Sequence, residues 1–249
     1  MIKPPELNLL IHPGLGRCGS STIQFYLSNE FGEKNSFVGD TKIKKGLCCE
    51  NLKEWNSLFP YKKSKQYYEE FNPDKLAKKI IDYTKIKKRL ISNEQIYIIL
   101  SEERITDSLN YDIARNVNNL NLLINAIKVY IDININVYVN LVIRSEKDLI
   151  RSFFQNNSYC FKSCDQFKNF ILDIKNGNDD SFFNFPYVKN ELEKIINLKE
   201  INIFNLYDLK LNKRKFINQF VSIGDLSFDV DTSVKMSEKV INSNNKKDF

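Results

Sequence analysis

The chain has 249 residues, 42% of them hydrophobic, and its 37 lysine and arginine residues outnumber its 31 aspartate and glutamate residues, for a net charge of +6. This length and apolar content suffice to bury one large core, and so moderate a charge, mixed along the chain, calls for no nucleic-acid partner. The start of the chain has no secretory hydrophobic region, and no apolar run reaches the roughly 18 to 20 residues of a membrane span. We therefore expect a cytoplasmic protein without a transmembrane segment.

The five cysteines favour neither a disulfide framework nor a zinc site, because their number is odd and no pair has C-x-x-C spacing. Cys160 and Cys164 have the spacing of one helical turn, but no histidine or further cysteine accompanies them. We expect reduced thiols and no bound metal.

The first predicted element is a buried strand at residues 7–11, which passes through a glycine-rich turn into a helix at residues 20–31. Glycines let backbone amides crowd together, and the N-terminus of a helix carries partial positive charge. Such a turn can bind an anion, most often a phosphate. Its predicted anion-binding residues are Gly14, Gly16, Arg17, Cys18, Gly19, Ser20 and Ser21. A tight turn without a ligand is the alternative.

The turn departs from the ATP/GTP-binding loop G-x-x-x-x-G-K-[ST] at one position. Gly14 and Gly19 have the required separation and Ser21 occupies the hydroxyl position, but Ser20 stands where the lysine belongs. That lysine contacts the β- and γ-phosphates, so its loss disfavours γ-phosphoryl transfer. The basic residue of this turn is Arg17, two positions before the second glycine.

A second strand is predicted at residues 36–40, with the carboxylate of Asp40 at its end. Residues 41–72 then show mixed aromatic and lysine residues with little periodicity. Long irregular segments near a phosphate-binding loop often form a substrate-binding segment or lid. Alternatively, the aromatic side chains of this segment pack on the body of the protein.

The rest of the chain continues the alternation of helices and strands. A helix begins at Pro73, and a near-continuous apolar strand, residues 95–100, is followed by a long helix at residues 112–132. The further predicted elements are a buried strand at 137–143, helices at 163–175 and 186–196, a last strand at 201–206 and a last helix at 211–223. This order predicts an α/β fold of three layers, with a mostly parallel central sheet and helices on both faces.

Several polar residues follow predicted strands. Because ligands of such sheets bind outside the carboxyl ends of the strands, we expect His12, Glu103 and Arg144 to converge on one crevice. Adjacent residues of a strand point in opposite directions, so Glu102 and Glu103 cannot both face it.

A second motif begins at Arg144, which stands at a strand end and is followed eight residues later by Ser152. Together with Arg17-Cys18-Gly19-Ser20-Ser21, this pattern resembles sulfotransferases that use 3′-phosphoadenosine-5′-phosphosulfate (PAPS), whose 5′-phosphosulfate loop has the form [KR]-x-G-[ST]-[ST]. The segments around His12-Pro13-Gly14, Ile23-Gln24 and residues 100–103 are similar to bacterial members of that family. The R-K-G loop that many cytosolic members carry near their C-terminus has no counterpart here.

The resemblance implies a P-loop NTPase-like sulfotransferase fold. From the length and the irregular segment we expect one sulfotransferase-like domain at residues 1–241 with a possible substrate or lid insertion at about residues 41–72, and a mobile tail at residues 242–249. The implied reaction moves a sulfuryl group from PAPS to a hydroxyl or amine of a small-molecule or glycan acceptor, without a metal, and leaves adenosine 3′,5′-bisphosphate.

The resemblance also implies roles for single residues. Arg144 and Ser152 would bind the 3′-phosphate, the loop amides the 5′-phosphosulfate, and Arg17 the leaving oxygen. Many members use a histidine between the two motifs as general base, but the only histidine here, His12, precedes the loop. Glu103 is the favoured base, and Asp40, Glu102 and His12 are the alternatives.

Two functions of other classes remain open at this point. A nucleotide-dependent small-molecule kinase with a degenerate loop would use an acid such as Glu103 to bind Mg²⁺. A non-catalytic module would bind a nucleotide and turn nothing over.

Overall fold

A parallel β-sheet forms the centre of the protein. The computed structural model describes residues 6–15, 18–39, 47–48, 53–60, 70–92, 95–106, 112–157, 163–175 and 185–233. Its strands are β1 (Glu6–His12), β2 (Phe37–Gly39), β3 (Leu47–Cys48), β4 (Ile96–Ser101), β5 (Asn134–Ile143) and β6 (Leu198–Asn205). They lie in the order β3-β2-β4-β1-β5-β6, and all pairs are parallel. The predicted α/β fold with a parallel central sheet is confirmed.

Helices connect these strands. They are α1 (Ser20–Gly32), α2 (Lys53–Leu58), α3 (Pro73–Thr84), α4 (Ile86–Ile91), α5 (Ile113–Ile131), α6 (Glu146–Asn157), α7 (Cys164–Lys175), α8 (Phe185–Leu192), α9 (Leu206–Leu211) and α10 (Lys213–Val221). Asn72 caps α3 and Asp112 caps α5, each by accepting a hydrogen bond from a backbone N–H of the first turn. None of the described helices is long and apolar enough to cross a membrane.

The helices lie on both faces of the sheet because the connections run in both directions. The crossover from β1 to β2 leads toward the β3 edge, whereas that from β4 to β5 leads toward β6. Right-handed crossovers therefore place α1 and α5 on opposite faces. Tyr97 of β4 contacts Phe31 of α1 and donates a hydrogen bond to the carbonyl of Val221 in α10 (2.8 Å), so α10 shares the α1 face. Helix α3 packs along α5 on the other face.

Strands β1 and β4 are almost wholly buried, which explains their near-continuous apolar sequences. Strand β6 is different, because several of its residues are exposed at the sheet edge. It begins three residues before the predicted strand and ends at Asn205, where α9 begins. Helix α10 corresponds to the predicted last helix, whereas α9 was not predicted. Asn205 and Asn212 cap these two helices, so the chain restarts a helix at Asn212 instead of continuing one.

Part of the segment predicted as an insertion packs on the body of the protein. Trp55, Leu58 and Phe59 are fully or almost fully buried, and the rings of Trp55 and Phe59 meet edge to face with centroids 5.5 Å apart. Residues 53–60 thus match the alternative interpretation of this segment, in which its aromatic side chains pack on the body of the protein. Residues 40–46, 49–52 and 61–69, and the predicted tail at 242–249, lie outside the described residues, and the assignment of residues 1–241 to one domain stays a prediction.

Candidate functional site

The topology defines a crevice above the carboxyl end of β1. The chain leaves β1 toward one face and leaves its neighbours β4 and β5 toward the other, so the following loops separate at this point. His12, the last residue of β1, pairs with Ser101, the last residue of β4. The turn that leads to α1 rises from this edge, beside the residues that follow β4 and β5.

The turn between β1 and α1 requires glycine at two positions. Gly14 and Gly19 have φ angles of +40° and +79°, in the left-handed region that other residues rarely adopt. A Cβ atom at Gly14 would lie 2.8 Å from Ser20 Oγ and 3.1 Å from Glu103 Cγ. A Cβ atom at Gly19 would lie 2.6 Å from Leu206 Cδ1 of α9. Side chains of α1, of the segment after β4 and of α9 therefore lie so close to these glycines that a larger residue would not fit.

Helix α1 begins at Ser20, as predicted, directly after the turn. The Cys18 N–H donates to the carbonyl of Leu15 (3.1 Å), and no side chain caps the helix at Gly19. No acidic residue stands in the first turn of α1, so none of its own carboxylates opposes the partial positive charge of the N-terminus. Ser20 is buried and Ser21 is exposed. Gly16 and Arg17 lie outside the described residues.

Glu103 lies against the turn, as the sequence predicted for a residue after β4. It begins a short 3₁₀ helix, Glu103–Ile105, is half-buried, and its Cγ atom is the neighbour that a side chain at Gly14 would meet. Thr106 Oγ1, at the end of this short helix, lies 2.9 Å from the carbonyl oxygen of Pro13 and 2.8 Å from that of Gly14. These contacts hold the segment after β4 on the turn.

Arg144 lies within electrostatic range of the same turn. Burial raises the pKa of the Cys18 thiol to about 12, while the Arg144 charge lowers this pKa and the Glu103 charge raises it. Cys18, Glu103 and Arg144 come from the loops after β1, β4 and β5, so the three predicted segments are neighbours. The raised pKa keeps Cys18 a neutral thiol, which makes it a packing residue and not a nucleophile.

More positive charge surrounds the start of α6. Asp148 accepts a hydrogen bond from Ser145 Oγ (2.8 Å), which lowers the pKa of its carboxyl, and the nearby charges of Arg144, Lys210 and Arg151 lower it further. Neither Arg151 nor Lys210 belongs to a motif read from the sequence. Arg151 could have been found from the sequence because it directly precedes Ser152 of the second motif. Lys210 lies on α9, far along the chain, and no sequence pattern connects it to this region. Ser152, on α6, is half-buried.

His12 is wholly buried beneath the crevice. Its Nδ1 atom forms a hydrogen bond with Ser101 Oγ (2.8 Å), and its ring meets the ring of Phe220 edge to face. Burial lowers the pKa of the imidazole to about 3, so His12 is neutral at physiological pH. Its side chain has no exposed surface, so the structure places it in the core beside the sheet edge.

Glu102 joins the end of β4 to α2. Its Oε2 atom accepts hydrogen bonds from Trp55 Nε1 (2.7 Å) and Arg104 Nη2 (2.7 Å), and its Oε1 atom accepts one from the Arg104 backbone N–H (3.1 Å). The Arg104 guanidinium also donates to Asn56 Oδ1 (2.9 Å). Both oxygens of this buried carboxylate are thus hydrogen-bonded, Oε2 to Trp55 of α2 and to the Arg104 guanidinium and Oε1 to the Arg104 backbone.

Asp40, the predicted carboxylate after β2, lies outside the described residues. Gly39 ends β2, and a Cβ atom there would lie 2.2 Å from the carbonyl oxygen of Ser101. The end of β2 therefore meets the end of β4. Within the described ranges, no three or more histidine, cysteine, aspartate or glutamate residues are grouped as a metal site would need.

No protein-family model and no curated protein sequence matches the chain. Among solved structures, the chain is similar to a sulfotransferase from Alicyclobacillus acidocaldarius, with 11% sequence identity and a TM-score of 0.45. The similarity covers 96% of this chain and 89% of that one.

Proposed function

We propose that this protein is a PAPS-dependent sulfotransferase, which transfers a sulfuryl group from PAPS to a hydroxyl or amine of an acceptor. The observation that carries the proposal is the meeting of three segments at one sheet edge. The glycine turn after β1, Glu103 after β4 and Arg144 after β5 are neighbours there, as the charge effects on Cys18 indicate.

The donor would bind across the ends of β1 and β5, which are adjacent strands. The amides of the glycine turn and the positive end of α1 suit the 5′-phosphosulfate. Arg144, whose guanidinium can bind a phosphate with two parallel hydrogen bonds, suits the 3′-phosphate together with Ser152. A nucleotide with phosphates on both sides of one ribose matches two anion sites on neighbouring strands, whereas ATP and GTP lack the 3′-phosphate.

The reaction is an in-line displacement at sulfur. The acceptor oxygen or nitrogen forms a bond to sulfur, the bond from sulfur to the bridging phosphate oxygen breaks, and adenosine 3′,5′-bisphosphate leaves with the bonding electrons. Arg17 would stabilise the charge that develops on the bridging oxygen. The acceptor's proton passes to a general base, for which we propose Glu103.

The surroundings of the two glutamates support this choice of base. Glu102 is buried and its carboxylate oxygens are hydrogen-bonded to Trp55 and Arg104. Glu103 is half-buried and lies beside Gly14 and Ser20, where a bound phosphosulfate would stand. A surface glycan is one acceptor class that fits the proposal, because its hydroxyl groups can accept a sulfuryl group.

The test is calorimetric titration of the protein with adenosine 3′,5′-bisphosphate, adenosine 5′-monophosphate and ATP with Mg²⁺, followed by a screen of hydroxyl and amine acceptors with labelled PAPS. We expect the bisphosphate to bind most tightly without Mg²⁺ and label to pass to at least one acceptor. Tight binding of ATP only with Mg²⁺ would favour the kinase instead. Binding of the bisphosphate without transfer to any acceptor would favour the non-catalytic module.

A further inference from the structure

A second concave surface lies at the amino ends of the parallel strands, opposite the end that holds the candidate functional site. It has a volume of about 470 Å³. We call it the amino-edge cavity, and its described lining residues are Lys34, Asn35, Thr84, Lys85, Lys88, Arg89 and Ser92. Four of these seven residues are cationic, and none of them is acidic or apolar. Small-molecule sites are usually lined by apolar residues, so this lining indicates a charged ligand.

The amino-edge cavity is separate from the candidate functional site. Lys34 and Asn35 lie between the end of α1 and the start of β2, and Ser92 lies between the end of α4 and the start of β4. In a parallel sheet all strand starts share one edge, whereas the glycine turn rises from the carboxyl end of β1. Ligand binding at the amino-edge cavity is therefore independent of the proposed function.

Hydrogen bonds fix the walls of the cavity. Tyr83 Oη donates to the carbonyl of Gly32 (3.1 Å), which ties the end of α3 to the end of α1. Arg89 Nη1 donates to Ser36 Oγ (3.2 Å), which ties α4 to the start of β2. Lys85 adopts a left-handed conformation between α3 and α4, and its N–H donates to the carbonyl of Asp82 (3.3 Å). The cationic side chains thus project from backbone segments that are held in place.

The cationic side chains of the cavity differ in whether the described residues pair with them. Lys34 forms an ion pair with Glu30 on α1. For Lys85 and Lys88, the described part of the chain supplies no ion pair. Like charges held around one concavity repel one another, and their field concentrates there, so an anion that enters it relieves the repulsion.

We propose that the amino-edge cavity binds a small molecule with two or more phosphate or sulfate ester groups. Lys34, Lys85 and Lys88 supply ammonium donors that can adapt to tetrahedral oxyanions, and Arg89 supplies a guanidinium. Asn35 and Ser92 add neutral donors at the wall. The volume is sufficient for a diphosphate or a sulfated sugar, since small-molecule pockets hold about 300 to 1,000 Å³.

The test uses inorganic pyrophosphate and sucrose octasulfate as probes, each titrated into the ¹⁵N-labelled full chain while amide chemical shifts are recorded. We expect saturable shifts at residues 34–35 and 85–92 with at least one probe. Saturation by pyrophosphate alone assigns the site to phosphate esters, by sucrose octasulfate alone to sulfate esters, and by both to either ester.

Matched variants separate a defined site from diffuse charge. Lys85→Gln/Lys88→Gln should weaken probe binding at these amides at least tenfold. The control Lys168→Gln/Lys189→Gln removes the same charge from α7 and α8 and should change binding less than twofold. There Lys168 pairs with Asp165 and Lys189 pairs with Glu193, just after α8. If the first variant is unstable, the single substitution Lys88→Gln should still weaken binding at least threefold.

Three results would overturn the proposal. They are the absence of saturable shifts at residues 34–35 and 85–92, equal weakening by the two double variants, and shifts confined to the glycine turn. The last result would leave the candidate functional site as the anion site, and the calorimetric titration tests that site separately.

Discussion

Glu102 and Glu103 are adjacent in the sequence but differ in what surrounds them. Glu102 is buried among Trp55 and Arg104, and Glu103 lies half-buried on the glycine turn. The difference follows from the backbone after β4, because Glu102 is still extended, whereas Glu103 begins the 3₁₀ helix Glu103–Ile105. At the scale of single residues, the proposed chemistry therefore depends on which of two identical carboxylates faces the crevice.

We expect Glu103→Gln to lower turnover by about 10² to 10⁴, the range for a lost general base, while affinity for adenosine 3′,5′-bisphosphate stays unchanged. Glutamine keeps the shape of glutamate but accepts no proton. Turnover is measured with PAPS and an acceptor from the screen. The control is Glu193→Gln, which makes the same substitution at an exposed residue far along the chain. Near-normal turnover of Glu103→Gln, with a folded but inactive Asp40→Asn, would assign the base to Asp40.

A second prediction at this scale concerns Arg144. Arg144→Ala should weaken binding of adenosine 3′,5′-bisphosphate by about 2 to 4 kcal/mol, the magnitude for losing one partner of a charged contact, because its 3′-phosphate loses the guanidinium. Adenosine 5′-monophosphate has no 3′-phosphate and should bind almost as before. Calorimetry measures both affinities, and an equal loss for the two nucleotides would contradict the assignment of Arg144 to the 3′-phosphate.

At the scale of elements, α2 is held to the sheet by the Glu102 carboxylate. Glu102→Gln removes the charge that Arg104 and Trp55 contact. We expect it to lower the free energy of unfolding by about 1.5 to 3 kcal/mol, the range for hydrogen bonds to charged groups. Urea unfolding measures this, and Glu193→Gln, which removes a surface pair with Lys189, should cost less than about 1 kcal/mol. If both variants lowered the free energy of unfolding equally, the Glu102 contacts would stabilise the fold no more than a surface ion pair does.

Helix α2 is also joined to α3 by a second carboxylate, Glu54, which pairs with Lys75 (2.6 Å) and Lys79 (2.7 Å). The hydrogen bonds from these lysines lower the pKa of Glu54 from 4.5 to about 2. A carboxyl whose pKa is lower in the folded state stabilises the fold above the unfolded pKa. This contribution should be complete above about pH 4.5 and lost as the pH falls toward 2.

The measurement is thermal unfolding of the wild type and Glu54→Gln across pH 2 to 7. The difference in stability between them should be largest near neutral pH and shrink below about pH 4.5. A difference that stays constant over this range would show that the ion pairs do not set the pKa of Glu54.

At the scale of the whole molecule, a nucleotide that bridges the loops after β1 and β5 should stabilise the fold. Adenosine 3′,5′-bisphosphate at 100 times its Kd adds about 2.7 kcal/mol to the free energy of unfolding, because it binds only the folded state. For a chain of this size, that corresponds to a rise in Tm of about 5 to 10 °C. Differential scanning fluorimetry without Mg²⁺ measures the shift. The same rise with Arg144→Ala at the same nucleotide concentration would argue against a nucleotide that spans the two strands.

Much of the fold could be predicted from the sequence because its strongest signals are local. The buried strands β1, β4 and β5 have near-continuous apolar sequences, and the helices α3 and α5 begin at the side chains that cap them, Asn72 and Asp112. Strand β6 was placed less accurately because an exposed edge strand has no continuous apolar run. Helix α9 was missed because its six residues are too few to show an apolar periodicity, and its first residue falls within the predicted last strand.

The candidate site divides in the same way. The sequence by itself determined that a glycine turn opens α1 and that Glu103 and Arg144 follow strands, since these depend on neighbouring residues. Only the tertiary structure decided that Glu102 is engaged by Trp55, that His12 is buried against Phe220, and that Lys210 joins Arg144 near Asp148. These contacts link residues 47 or more positions apart, so the strand order and the packing of α2, α9 and α10 on the sheet create them, and no local pattern encodes them.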